Sequence, residues 1–197
     1  MGNLATELND GYWENRYITA NIGWDLKAVS PPIKAYIQQL TNKNIAILIP
    51  GCGNAYEAEY LYQQGFANIT LIDIAPTLVQ QLKIKFANTT IQVLHQNIFN
   101  YTGKFDLIIE QTLFCAIHPT LRPTYVQCIH ALLHTNGKYV GVLFNKDFST
   151  QGPPFGGNKA EYITLFEPYL TLHTINECYN SIAPRAGTEL FICFLKK

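Results

Sequence analysis

Five short apolar runs constrain this chain more than any other feature. They span residues 45–49, 69–73, 91–95, 105–110 and 138–144. A strand that is apolar along its whole length has to be covered on both faces. Amphipathic segments follow the runs at 55–64, 76–86, 121–134 and 159–166, and strands alternating with helices specify a parallel sheet. The link at 96–104 is too short for a full helix. Asn136-Gly137 reads as the stop of the helix at 121–134. Two further runs, 170–179 and 188–195, read as an antiparallel pair at one sheet edge. The expected fold is α/β and Rossmann-like: a mostly parallel seven-stranded sheet, helices on both faces, and an antiparallel C-terminal strand pair. Pro31 and Pro32 open another helix, to residue 40, as proline does in a first turn. Residues 1–30 read as an irregular arm in which Tyr12, Trp13, Tyr17 and Trp24 alternate with Asn, Asp and Gly.

A length of 197 residues suits one domain with a full core. Charged residues make up only 14%, and Lys+Arg and Asp+Glu balance at 14 each. No basic surplus argues for a nucleic-acid partner. No apolar run reaches bilayer length and no charged-then-apolar leader opens the chain. "MGNLAT" matches an N-terminal acylation pattern. One acyl chain anchors weakly, and no polybasic run assists it, so no membrane partner is expected. Five scattered cysteines without a Cys-x-x-Cys pair fit a reducing cytoplasm and no metal. The expectation is a cytoplasmic protein acting on a small molecule, as a monomer.

The chemistry starts at "IPGCGNAYE", residues 49–57. In open α/β sheets ligands bind at the carboxyl ends of strands, where strand order reverses. Gly51 and Gly53 let backbone and ligand approach closely. Asp73 ends the next strand, 20 residues past Gly53, where a carboxylate can accept hydrogen bonds from ribose hydroxyls. A dinucleotide fingerprint requires a third glycine, and Tyr56 stands there instead. The nicotinamide reductase pattern Tyr-x-x-x-Lys is absent. An adenosine ligand without phosphates, S-adenosylmethionine, fits better than a dinucleotide, although the same loop can be a plain strand-to-helix turn. Asn97 and Ile98 follow the third strand, suited to an adenine edge and ring face. Glu110 ends the fourth strand and either offsets the ligand's ammonium or sulfonium charge or is simply a strand-end carboxylate. Trp13 and Trp24 either fold over the sulfonium, which aromatic faces attract, or pack the arm.

These residues, with "YWENRY", "LIDIA", "NIF", "EQTLFCAIHPTLRPTY", "GPPF" and "SIAPRAGTEL", resemble the thiopurine S-methyltransferase-like branch of the class I methyltransferases. Within it the plant halide/thiol methyltransferases of the "harmless to ozone layer" type are most similar. The resemblance covers roughly residues 12–195. It implies one methyltransferase domain over 1–197, with 1–30 as a cofactor-covering arm. It implies that S-adenosylmethionine is held by Trp13, Trp24, Gly51, Gly53, Asp73, Ile74, Asn97, Ile98 and Glu110, and that S-adenosylhomocysteine is released. Two positions depart from the family: Asn97 often has Asp as its counterpart, and Gln111 often has Tyr or Arg.

Methyl transfer from a sulfonium is an in-line displacement, with the nucleophile about 3 Å from the methyl carbon. A thiol, sulfide, thiocyanate, halide or thiopurine acceptor requires no metal and, once anionic, no general base. It requires a desolvated pocket. Phe114, Cys115, Phe144, Pro153, Pro154 and Phe155 are expected to form one, with Arg185 drawing in the anion and Tyr17 and Tyr179 as lesser candidates. "GPPF" follows strand five, unlike the Pro-Pro box of amino-methylating enzymes, which follows strand four. His130 and His134 lack a third ligand, and Cys52 reads as packing. The competing functions are a nicotinamide-dependent reductase and a non-catalytic S-adenosylmethionine-binding regulator.

Overall fold

The computed structural model describes residues 8–149 and 151–197, so the "MGNLAT" segment lies outside the described residues. Two helices, α1 (Asp10–Ile18) and α2 (Pro31–Ile37), precede the sheet. Then come β1 (Ile47–Pro50), α3 (Tyr56–Gln63), β2 (Ile69–Asp73), α4 (Pro76–Lys85), β3 (Gln92–His95) and β4 (Phe105–Gln111). The chain continues through α5 (Arg122–Leu132), β5 (Leu133–Phe144), α6 (Lys159–Phe166), β6 (Leu170–Glu177) and β7 (Glu189–Lys196). A single 3₁₀ turn, Ile98–Asn100, stands in the short link between β3 and β4.

The seven strands lie in the order β3-β2-β1-β4-β5-β7-β6. Pairs from β3 through β5 are parallel, and β7 runs antiparallel between β5 and β6. Strand alternation sorts the core into two layers. Ile47, Ile49, Leu107 and Ile109 face α2, α3 and α4, whereas Leu48, Ile108, Tyr139 and Leu143 face α5 and α6. This bears out the expected class. Strand order reverses between β1 and β4, which opens a crevice at their carboxyl ends.

Two expectations are corrected. The arm is not wholly irregular. The Asn9 side chain accepts from the Tyr12 N–H at 3.1 Å and starts α1. Nor does Asn136-Gly137 end a helix: α5 stops at Leu132 and the chain enters β5 directly. Between the pairs Phe105–Leu133 and Leu107–Lys138, β5 carries four residues against one of β4, so the ladder is interrupted by a bulge larger than the usual single extra residue. Asn136 takes a positive φ of 63° there. Gly137 is needed for space, because a Cβ would lie 2.8 Å from the His134 carbonyl oxygen and 2.9 Å from that of Phe105.

Candidate active site

The crevice over the β1–β4 reversal holds a cavity of about 480 Å³, a volume suited to a cofactor-sized ligand. Its inner wall is the end of β1 and β2. Gly51 bends the chain at φ +56°, and a Cβ there would lie 2.7 Å from Leu113 Cδ1, so the loops after β1 and β4 touch only because this residue is glycine. Asp73 is 8% exposed and lines the cavity with Ile72 and Ile74. The Gly53 N–H donates to its Oδ2 at 3.2 Å and the Ala75 N–H to its Oδ1 at 3.1 Å. Burial raises its pKa, and these backbone donors oppose the shift. The carboxylate is thus held rigidly, with lone pairs left for a ligand.

Further round the crevice, Asn97 Oδ1 accepts from the Phe99 N–H at 3.0 Å and caps the 3₁₀ turn. That leaves the Asn97 amide nitrogen as a donor toward the cavity, beside buried Ile98. The N-terminal side is closed by α1 and the loop after it. Trp13 and Tyr17 stand one helical turn apart and meet Trp24 edge to face, at centroid distances of 5.5 and 5.9 Å. Glu14 accepts from the Thr77 N–H and hydroxyl at the start of α4, which fastens α1 to α4. A smaller cavity adjoins at Gly51 and Trp24 and is bordered by Gly53, Asp25, Gln111 and Thr112.

The remaining wall comes from the loops after β4 and β5. Cys115, Ile117 and His118 line it with Phe144, Pro153 and Pro154. Burial pushes the Cys115 thiol up to about 12, so it is neutral at physiological pH. Arg185 reaches this wall from the loop before β7. Its guanidinium donates to the Trp24 carbonyl at 3.1 Å and to Glu189 Oε1 at 3.4 Å, and lies 5.6 Å from the Phe144 ring centroid.

Trp13, Trp24, Gly51, Asp73, Ile74, Asn97, Ile98, Cys115 and Arg185 are therefore brought to one cavity. Five others are not. Gly53 borders the small cavity and acts on the large one through its hydrogen bond to Asp73. Glu110 is 0% exposed: it accepts from the Phe114 N–H and the Tyr125 hydroxyl, both at 2.9 Å, beneath the floor. Phe114 is sealed among Tyr125, Tyr162 and Phe166. Phe155 does not line the cavity, and its ring stands edge-on to His118 at 5.4 Å. Tyr179 is 91% exposed and does not line the cavity, whereas Tyr17 does. Arg16, Lys146 and His118 line the cavity without having been singled out. Trp13, Arg16 and Tyr17 share the i, i+3, i+4 spacing of one helix face, a signal masked in the sequence by the Asn, Asp and Gly interleaved with the arm's aromatics. Lys146 and His118 follow strand ends, where the rule for open sheets points.

The profile of the family described as thiopurine S-methyltransferase matches residues 8–189. The chain belongs to the thiopurine S-methyltransferase family. Among its relatives, a probable thiol methyltransferase of Arabidopsis thaliana is 29% identical over 194 residues, covering 94% of this chain and 85% of that one. A thiocyanate methyltransferase of Brassica oleracea is 23% identical with the same coverage. Of the solved structures, a Burkholderia thailandensis 1,6-didemethyltoxoflavin-N1-methyltransferase with bound S-adenosylhomocysteine superposes with a TM-score of 0.78 at 19% identity, covering 98% of this chain and 88% of that one. The fold expected for class I methyltransferases is thereby borne out. So is the enzyme class: a thiopurine S-methyltransferase-family enzyme dependent on S-adenosylmethionine. No helix among the described residues is long and apolar enough to cross a membrane.

Proposed function

We propose that the crevice methylates a small thiol or thiol-like anion, such as hydrosulfide, thiocyanate, a halide or a thiopurine. The observation that carries this reading is the charge of the cavity. Among the described residues lining it, Arg16, Lys146 and Arg185 are cationic and Asp73 is the one carboxylate. Asp73 sits at the adenosine end; Arg185 is paired with buried Glu189 behind the wall but keeps donors on the cavity side, and with Arg16 and Lys146 it makes the rest of the lining cationic, suited to an anionic acceptor. The names of the thiol and thiocyanate methyltransferase relatives support the same acceptor class.

The residues fit the cofactor. The Asp73 carboxylate, fixed by the Gly53 and Ala75 N–H groups, would accept from the ribose hydroxyls, and the Asn97 amide, whose oxygen is taken by the Phe99 N–H, would donate to the adenine, with Ile98 against the ring. The Trp13, Tyr17 and Trp24 faces close the cationic end, and the small cavity at Gly51 and Gly53 suits the amino-acid portion. S-adenosylmethionine, when bound, supplies an electrophilic methyl group on a sulfonium. The chain's own contribution is positioning, water exclusion and charge. Phe144, Pro153, Pro154 and Ile117 keep water from the acceptor, which raises the reactivity of an anion. The neutral Cys115 thiol adds no repelling charge. Arg185 holds the anion while its bond to the Trp24 carbonyl ties the acceptor wall to the arm. The working unit is one methyltransferase domain, with residues 8–30, the described part of the arm, covering the cofactor. We take a monomer as the working state. Free cysteines, three of them buried, support a cytoplasmic setting.

Calorimetry with S-adenosylhomocysteine and NADH, followed by an acceptor screen read by product mass, tests the proposal. Micromolar binding of S-adenosylhomocysteine and a methylated sulfur product are expected. Binding of NADH alone would overturn the reading, and tight cofactor binding without turnover would favour the regulator. Within the screen, Arg185→Met is expected to raise KM for thiocyanate about tenfold more than KM for 2-mercaptoethanol. Equal changes would remove its role in holding anions, because the lost Trp24 bond affects both acceptors alike.

A further inference from the structure

We propose that Arg122, which does not line the cavity, is a positioning residue that fixes the width of the acceptor pocket. The inference rests on the acceptor lying between Cys115 and the Pro153–Pro154 wall, as the proposed function places it.

Arg122 opens α5 and its side chain is only 3% exposed. Its NH1 donates to Glu161 Oε1 at 2.6 Å, in the first turn of α6. Its NH2 donates to the Gly156 carbonyl at 2.8 Å and, at 3.5 Å, to that of Phe155. Its guanidinium carbon lies 4.7 Å from the Phe114 ring centroid, directly under the turn that carries Cys115. One planar cation therefore grips both walls: the turn after β4 through Phe114, and the Gly/Pro loop through two carbonyls. Guanidinium geometry suits this, since several donors act from one rigid plane.

The Gly/Pro loop has little freedom to move independently. The Phe155 N–H donates to the Cys115 carbonyl at 2.7 Å, joining the two walls directly. Lys146 and Gly157 exchange backbone hydrogen bonds at 2.9 and 3.1 Å. A Cβ on Gly156 would lie 2.2 Å from the Lys146 carbonyl oxygen, and one on Gly157 2.2 Å from the Tyr162 hydroxyl, so the loop is pressed onto its supports. Two prolines remain to face the cavity. The loop is a pinned wall, and Arg122 is the buried pin that joins it to the opposite side. The Arg-Pro that follows "FCAIHPTL" in the sequence thereby acquires a function in selectivity.

The test combines Arg122→Met, Arg122→Lys and the wild type. Backbone hydrogen exchange at Phe155 and Gly157 is expected to accelerate about tenfold or more in both variants. Lysine can meet Glu161 as a point charge but lacks the fork for the carbonyls, so it does not rescue the wall; it also keeps the test available should Arg122→Met not fold. Binding of S-adenosylhomocysteine should stay within about twofold of wild type. The ratio of kcat/KM for thiophenol over hydrosulfide should shift at least about tenfold toward thiophenol, through KM, as the pocket widens. Unchanged exchange, or a uniform loss at an unchanged ratio, would overturn the proposal. A wild type that binds S-adenosylhomocysteine but methylates neither thiol would refute the acceptor reading, and the exchange rates would still decide whether Arg122 pins the wall.

Discussion

Replacing Asp73 with alanine is expected to weaken S-adenosylhomocysteine binding about a hundredfold, or about 3 kcal/mol. Two losses combine. The ribose hydroxyls lose a charged acceptor, and the Gly53 and Ala75 N–H groups lose the oxygens that fix them at 3.2 and 3.1 Å. Asp73→Asn is expected to resemble alanine rather than wild type. Each carboxylate oxygen already accepts a backbone N–H, so an amide has to set its NH₂ against one of those donors. Burial raises the Asp73 pKa, so wild-type affinity should also decline as acid protonates it, and the alanine variant should lose that dependence. Calorimetry across pH, with melting temperatures recorded alongside, checks all three outcomes. An unchanged dissociation constant in Asp73→Ala would remove the ribose from this carboxylate.

The frame was legible because apolar runs and glycines state their constraints locally. Ile69–Asp73 and Lys159–Phe166 fall at the expected residues, and Gly51, Asp73, Asn97 and Ile98 converge because strand ends of a parallel sheet share one edge. What was not legible depends on tertiary partners. Helix α1 carries Gly11 and buries none of its residues. Its aromatic face, Trp13 and Tyr17, is only partly buried, shared between the edge of the core and the crevice, so no fully apolar stripe marks the helix. The Asn136-Gly137 pair has the chemistry of a helix stop, yet its use in a bulge is set by Phe105 across the ladder and by His134 three residues earlier on the same strand. Glu110 and Phe114 stand at a strand end, where site residues gather, but their side chains point into the layer under α5. Spacing gives the strand end, not the face. The cationic lining was seen only in Arg185, because Arg16 and Lys146 come from segments far apart in the chain.

Glu110 is expected to make the protein about 3 kcal/mol less stable above pH 7 than at pH 4.5, and Glu110→Gln is expected to abolish that difference. Burial is the largest influence on this carboxyl and raises its pKa from 4.5 to about 7, against the Phe114 N–H and the Tyr125 hydroxyl, which favour the charged form. In the unfolded chain the group titrates near its ordinary value. Between the two values the folded state keeps a proton that the unfolded state has released, so rising pH favours unfolding, and the loss is complete once the folded carboxyl ionises. The interval from 4.5 to about 7 corresponds to about 3 kcal/mol. Glutamine is neutral throughout, can accept from the Phe114 N–H and can donate to the Tyr125 oxygen. The variant should match wild type near pH 4.5 and exceed it by about 3 kcal/mol above pH 7. Glu57 and Asp73, also raised by burial, remain in both proteins and cancel in the difference. Urea unfolding at several pH values measures it, and parallel curves for the two proteins would sink the argument. The same variant decides between two roles for the strand-end acid. A carboxylate acting across the floor on the ligand's ammonium or sulfonium would lose cofactor affinity when neutralised. A sealed group that braces the Phe114 turn from below leaves S-adenosylhomocysteine binding as it was, and the hydrogen bonds around Glu110 are those of a brace.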